Sequence, residues 1–317
     1  MVGFAVVVVS YNSSNTIIST LESIKAQTYK PLEVIISDDG SKDDTIDVCK
    51  KWIRDNENES YPLKIVTTPK NSGVAKNCNR GVDAVSDKCD WIKLIAGDDM
   101  LAPRCLESFK NFIIDNPEAK VIYSAIKSFK FESELTNWDE SDFQQVSVHL
   151  KLSGQDVSKQ RLYFDCLGMF TMSPTLCVKK SIVKQIGFDE RIPMIEDTPF
   201  NYNLLHNDIK LYYNPYATVF YRIGDSISHQ SSRYLSPLFY DSAMSYEKFY
   251  PRNNDAGIIG LLSNLGYLFA TKKRDYFYLK KHNRPTQKGL KLYHFLDKVY
   301  YVYMMGLSKI FFRFYLK

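Results

Sequence analysis

Four short apolar runs recur in the first hundred residues, each separated from the next by a stretch of helical periodicity, and this alternation limits the fold more than any other feature. Phe4 to Ser10 is a continuous Val-rich run; the others are Leu32 to Ser37, Leu63 to Thr67 and Trp91 to Ala96. Runs of this length without polar alternation suit strands buried on both faces, as in a parallel sheet. Between them the apolar residues fall at helical spacing: Ile17, Leu21 and Ile24, then Ile46, Cys49 and Ile53, then Val74, Cys78, Gly81, Val82 and Val85. Four βα units of this size predict an α/β fold, a doubly wound and mostly parallel sheet with helices on both faces.

Two of these runs end in paired acids, Asp38-Asp39 and Asp98-Asp99. Open α/β sheets bind ligands outside the carboxyl ends of their strands. Two adjacent carboxylates there are costly unless a cation, donors or water stabilises them. Either pair alone reads as a turn or a helix cap. Both together, in this order, point to a cation and a polar, phosphorylated ligand. There is no G-x-G-x-x-G after the first strand and no G-x-x-x-x-G-K-[ST] anywhere. Phosphates must then be neutralised by other means, and a divalent metal on Asp98 and Asp99 would suit, because hard cations prefer carboxylate and phosphate oxygens.

Past Pro103 a helix carrying Leu106, Phe109 and Ile113 leads to a strand from Val121 to Phe129. Residues 131–155 are polar and aperiodic and read as a loop over the site. Two further strands are expected near Pro174 to Val178 and Thr218 to Arg222, with a helix opening at "MIEDTPF" between them. From about residue 230 the pattern is helical and rich in Tyr and Phe. The expected divisions are 1–105, 106–229 and 230–317.

The six cysteines show no C-x-x-C, which argues for buried thiols in a reducing compartment rather than a disulfide framework or a zinc site. No apolar run approaches the ~18 residues of a membrane span, and the N-terminus lacks a signal-peptide pattern. The net charge of +5 conceals an asymmetry. Residues 271–317 carry twelve basic and two acidic residues, a net +10, and the other 270 stand at −5. Within that tail Leu292, Leu296, Val299, Tyr303, Leu307, Ile310 and Phe314 share one helical face beside Lys291, Lys298, Lys309 and Arg313. A basic amphipathic helix of this kind is expected on an anionic membrane surface. The acidic body argues against nucleic acid as a partner.

Five stretches in order, "VVVVSYNSSNTIISTLESIKAQTY", "LEVIISDDGSKDDT", "NSGVAKNCNRGV", "LIAGDDMLAP" and "IGFDERIPMIEDTPF", resemble the family 2 glycosyltransferases, whose nucleotide-sugar-binding fold is called GT-A. The resemblance implies that Ser10 and Tyr11 lie against the base and that Asp38 or Asp39 accepts hydrogen bonds from base or ribose. It places Lys76 near the diphosphate, Asp98 on ribose or metal, and Asp99 as the principal ligand of Mn2+ or Mg2+. Glu196-Asp197 matches the catalytic-base motif, with Asp197 favoured as the base, and Arg222 is a further candidate for the diphosphate. Two positions depart from the family pattern: Ala96 stands where many members have another Asp, and Gly224 where many have a metal-reaching His, with His229 nearby as a substitute.

The implied activity is inverting transfer from a nucleotide sugar, UDP-linked given the metal-binding pair, to a saccharide or undecaprenyl-diphosphate-linked acceptor. Capsule, O-antigen or exopolysaccharide synthesis, on the cytoplasmic face of the cell membrane, would fit. A degenerate nucleotide-sugar-binding relative is the alternative that Ala96 and Gly224 allow. A receiver-like signalling module fits poorly, because the first strand ends in Ser10-Tyr11-Asn12 rather than in an acidic pair.

Overall fold

A computed structural model describes residues 2–56, 61–139, 147–168, 173–224, 237–250, 257–280 and 287–315. The chain divides into two compact units, Met1–Gly154 with Thr171–Ile223, and Gln155–Phe170 with Gly224–Lys317. Along the chain the elements run β1 (Phe4–Ser10), α1 (Ile17–Lys25), β2 (Glu33–Asp38), α2 (Thr45–Asp55), β3 (Leu63–Thr67) and α3 (Val74–Asp83). There follow β4 (Trp91–Ala96), β5 (Met100–Leu101), α4 (Cys105–Asp115), β6 (Val121–Phe129), α5 (Ser147–Ser153) and α6 (Val157–Leu167). Then come β7 (Cys177–Lys179), α7 (Lys180–Ile186), α8 (Asp197–His206), β8 (Leu211–Arg222), α9 (Pro237–Phe249), α10 (Gly257–Lys280) and α11 (Gln287–Tyr315).

In the first unit the strands form one sheet in the order β3-β2-β1-β4-β7-β6-β8-β5. The first four are parallel, as the βα repeats predict, and β6 runs parallel to β8. Strand β7 is antiparallel to both of its neighbours, and β5 is antiparallel to β8. In β1, Phe4 through Val8 are fully buried, which explains an unbroken apolar run. Burying each of the Phe and Val side chains stabilises the fold by about 1.5–3 kcal/mol. Ile17, Leu21 and Ile24 of α1, Cys49 of α2 and Phe109 of α4 close one face of this core.

The register decides where the chemistry sits. Ser10 pairs with Asp38, and Val9 pairs with both Ser37 and Ala96, so β2, β1 and β4 end level with one another. Both acid pairs therefore emerge at one sheet edge. Gly97 fits there because an added Cβ would come within 3.1 Å of the Ser10 Cβ and 3.0 Å of Ile17.

Some elements escape the sequence pattern. Strand β8 begins at Leu211, well before Thr218, and β5 and α6 are additional. Residues 131–155 are not wholly irregular: a short 3-10 turn spans Glu132–Leu135 and α5 follows, with 140–146 outside the described residues.

The second unit is helical. Tyr163 of α6 shares a hydrogen bond of 2.8 Å with Ser308 of α11 and sets its ring edge-on to Phe311. Tyr303 of α11 donates to the Leu262 carbonyl of α10 at 2.7 Å, and Lys273 pairs with Asp297 between the same helices. Among the described residues no helix is long and apolar enough to cross a membrane.

Candidate functional site

At the end of β2 the two acids are held by the chain itself. The Asp38 carboxylate accepts from Ser10 at 3.3 Å, from the amides of Gly40 and Ser41 at 3.0 and 2.9 Å, and from Thr67 at 3.2 Å. Asp39 accepts from the amides of Ser72 and Gly73 at 2.9 and 2.8 Å and pairs with Arg80 at 3.2 Å. Internal donors thus supply the stabilisation that adjacent carboxylates require. The expectation of a base or ribose contact on these carboxylates meets side chains already engaged in fixing two loops.

Helix α3 ties those loops to the rest of the edge. Asn77 donates to the Ser10 carbonyl at 3.1 Å and accepts from Ser37 at 2.7 Å and from Arg80 at 2.8 Å. Asn79 exchanges two hydrogen bonds of 2.9 Å with the backbone of Phe188, which clamps the "GFDER" loop onto α3. Gly73 has φ +96° and faces Pro193, leaving room for no side chain, and the Val74 amide donates to the Pro193 carbonyl at 2.8 Å. These contacts bring Glu196 and Asp197 toward the start of α3. Burial raises the Cys78 thiol of that helix well above its ordinary value, and the nearby charges of Glu196 and Asp39 add to the shift. None of the six cysteines forms a disulfide.

Lys76, also on α3, is exposed and lies 4.0 Å from Glu190, close enough to its neighbour for only a weak, solvent-screened pair. Its ammonium remains available to an anion. Tyr11 is half-buried just past β1, beside Asn12 at φ +53°.

The second acid pair divides by burial. Asp98 is half-buried, whereas Asp99 is 1% exposed and points inward. One Asp99 oxygen accepts from the Arg222 amide at 2.8 Å, and the other has no hydrogen-bond partner. Burial, reinforced by the charge of Asp98, pushes the Asp99 carboxyl well above the usual range. Asp98 is the more accessible of the two, and Asp99 keeps one oxygen without a protein hydrogen-bond partner. A set of two carboxylates suits Mg2+ or Mn2+ that takes its other ligands from substrate phosphates and water. The orphaned Asp99 oxygen is consistent with a charge bound alongside. Among the described residues no cluster of three or more His, Cys, Asp or Glu could hold a metal.

Arg222, a candidate for the diphosphate, has its guanidinium engaged by the chain. Its Nε donates to the Asp98 carbonyl at 2.8 Å, Nη2 pairs with Glu132 at 2.7 Å, and the plane lies over Phe129. This makes it a positioning residue for the acidic turn. Gly224 is not forced by crowding, since an added Cβ would meet nothing within 4 Å. His229 lies outside the described residues.

A polar stripe along α1 and the residues flanking it secures the same turn. Thr16 donates to the Gly97 carbonyl at 2.9 Å and Thr20 to the Asp99 carbonyl at 2.6 Å. Ser23 accepts from the Leu101 amide at 2.9 Å. Gln27 donates to the Ala102 carbonyl at 2.8 Å and accepts from the Leu106 amide at 3.1 Å. The spacing of four, three and four residues, running from the N-cap of α1 to just past its C-cap, follows the helical repeat. That periodicity was the available signal.

Glu196 and Asp197 stand at the opening of α8, both half-buried. Ser173 donates to Glu196 at 2.7 Å, and Asp197 accepts from the Thr198 amide at 2.7 Å. Burial first, and the Glu196 charge second, push the Asp197 carboxyl up to about 7. Lys93, fully buried in β4 with its amine lowered by burial, donates to the Leu94 and Pro174 carbonyls. It anchors the turn that carries Ser173. A carboxyl near neutrality can take a proton and release it, as general acid–base chemistry requires.

Fold and edge together define a GT-A protein. The chain aligns with S. aureus TarS 1–349 in complex with UDP-GlcNAc at TM-score 0.53 and 18% identity, over 98% of this chain and 91% of that one. Residues 5–177 match the model for Glycosyl transferase family 2, and the chain belongs to that family. It is 27% identical over 202 residues to an uncharacterized glycosyltransferase of Haemophilus influenzae, covering 63% of this chain and 61% of that protein. It is 28% identical over 193 residues to the amylovoran biosynthesis glycosyltransferase AmsB of Erwinia amylovora, covering 60% of each. The chain thus spans about 60% of the length of these curated relatives.

Proposed function

We propose that the chain transfers a sugar from a nucleotide diphosphate sugar, a UDP-sugar, to a hydroxyl of a saccharide or undecaprenyl-diphosphate-linked acceptor, with inversion. The observation that carries this is the Glu196-Asp197 pair at the opening of α8, just past a loop that the Asn79–Phe188 and Val74–Pro193 hydrogen bonds clamp to α3, beside the sheet edge where β2 and β4 end in their acid pairs. Family membership, the binding of UDP-GlcNAc by TarS and the role of AmsB in amylovoran biosynthesis support the donor and a polysaccharide pathway. Capsule, O-antigen or exopolysaccharide synthesis at the cytoplasmic membrane face is the setting that fits.

In the proposed reaction Asp197 takes the proton of the acceptor hydroxyl as its oxygen attacks the anomeric carbon. The bond from that carbon to the diphosphate breaks, and the nucleotide leaves with the electron pair from the opposite face. Lys76 supplies positive charge to the leaving diphosphate. Ser10 and Tyr11 border the base, with the Tyr11 ring offering a face for stacking. Asp98, with Asp99 behind it, would hold Mn2+ or Mg2+, whose charge would further stabilise the departing diphosphate. Asp38, Asp39 and Arg222 act by holding the loops in place.

The test is UDP release by purified protein, measured against a panel of UDP-sugars and lipid-linked saccharides with and without added manganese. Turnover that requires both donor and acceptor supports the proposal. Tight donor binding with no turnover on any acceptor would favour the degenerate binder.

A further inference from the structure

We propose that the outward faces of α10 and α11 form a docking surface for an anionic lipid bilayer, on which the second unit lies without crossing. This goes beyond the catalytic reading and does not depend on it. On α10, Ile258, Leu261, Leu265 and Leu268 are 72%, 60%, 54% and 53% exposed. Their spacing of three, four and three residues places them in one stripe, which exposed Lys272 continues. On α11, Phe295, Val299 and Val302 are 61%, 47% and 69% exposed. Exposed Lys291, Lys298, Lys309 and Arg313 are interspersed along that same helix.

The sign of the charge selects the partner. Each of these helices has one acid, and each acid is held inside the unit. Asp275 pairs with Arg274 at 3.6 Å and accepts from Tyr240, and Asp297 pairs with Lys273. The charges left on the exposed faces are basic. A second copy meeting this surface face to face would set lysine against lysine. Nucleic acid would meet the basic residues but would leave the aliphatic stripe in water. An anionic bilayer satisfies both parts: headgroups attract the basic side chains, and the aliphatic residues enter the interface beneath them.

The surface overlaps the stripe expected at Leu292, Leu296, Val299, Tyr303, Leu307, Ile310 and Phe314. Leu292, Val299, Tyr303, Ile310 and Phe314 of that stripe are exposed, Leu307 is buried in the unit, and Phe295 and Val302 extend the exposed face. It also begins at Ile258, before the basic tail. Removing residues after Ala270 would therefore leave part of it behind, and point variants of the full chain are the better probe.

The experiment is co-sedimentation of full-length protein with phosphatidylcholine vesicles, with and without phosphatidylglycerol. Wild type should bind the anionic vesicles and be partly released by salt. The exposed pairs Leu261→Asp with Leu265→Asp, and Lys298→Glu with Lys309→Glu, should each lower the partition coefficient about tenfold or more. Circular dichroism and melting should show both variants folded. Wild type that ignores anionic vesicles, or folded variants that bind like wild type, would overturn the proposal. So would a wild-type dimer that the leucine variants dissociate, coupled with no vesicle binding, which would make the face a self-contact.

Discussion

Changing Asp197 to Asn keeps the shape of the side chain and removes its ability to take a proton. General-base loss costs about 10²- to 10⁴-fold in rate, so turnover should fall in that range while UDP-sugar binding by calorimetry persists. The pH dependence sharpens the test. With the Asp197 carboxyl near 7, the deprotonated fraction rises about tenfold from pH ~6 to ~8, and wild-type kcat/KM should follow it to a plateau. Glu196 is close enough to influence this titration, so the profile belongs to the pair. Stability should move the opposite way. A carboxyl whose pKa is raised on folding binds its proton more tightly in the fold, so stability falls as pH climbs from 3.8 to about 7 and is level above. Asp197→Asn has no such loss, and should match wild type near pH ~4 and melt at an equal or higher temperature near pH ~8. A flat wild-type rate profile between pH ~6 and ~8, or a variant that loses donor binding instead of turnover, would refute the assignment.

Asp98→Ala should lose turnover by about 10²-fold or more and respond little to added manganese, whereas Asp99→Asn should fold as well as wild type because it keeps the shape and the bond from the Arg222 amide and removes a carboxyl whose charged form burial disfavours; titration of Mn2+ into both variants checks this. Gln27→Ala would leave the Leu106 amide unpaired, at about 1–3 kcal/mol, while the Ala102 carbonyl keeps its bond from the Cys105 amide, and the loss should appear as a lower urea midpoint at constant m. Arg80→Met should cost about 1.5–3 kcal/mol by removing the charged partner of Asp39, with Arg80→Lys recovering only part because it lacks the fork.

The parallel half of the sheet was legible because strands buried on both faces, as β1 and β4 are, leave unbroken apolar runs, and the edge strand β3 lies where its run lies although it is only partly buried. Strand β5 has only two residues and exists through backbone pairing with β8, which no side-chain pattern records. Helix α6 buries the polar Gln160 and Asp165 beside its apolar residues, so its hydrophobic periodicity is weak. The acid pairs were visible, but not their division of labour. A carboxylate at a strand end has the same sequence signature whether it meets a ligand, as proposed for Asp98, or the amides of its own loops, as Asp38 and Asp39 do. Arg80 and Lys93 were passed over because a lone cation in a helix or strand shows nothing of the carbonyls and carboxylates that fold against it.

The most direct test of the central claim follows the anomeric configuration of the product by proton NMR during turnover of a UDP-sugar and a saccharide acceptor. The account predicts a glycosidic bond of configuration opposite to the donor's, formed one for one with released UDP and lost in Asp197→Asn. A product that retains the donor's configuration would contradict it.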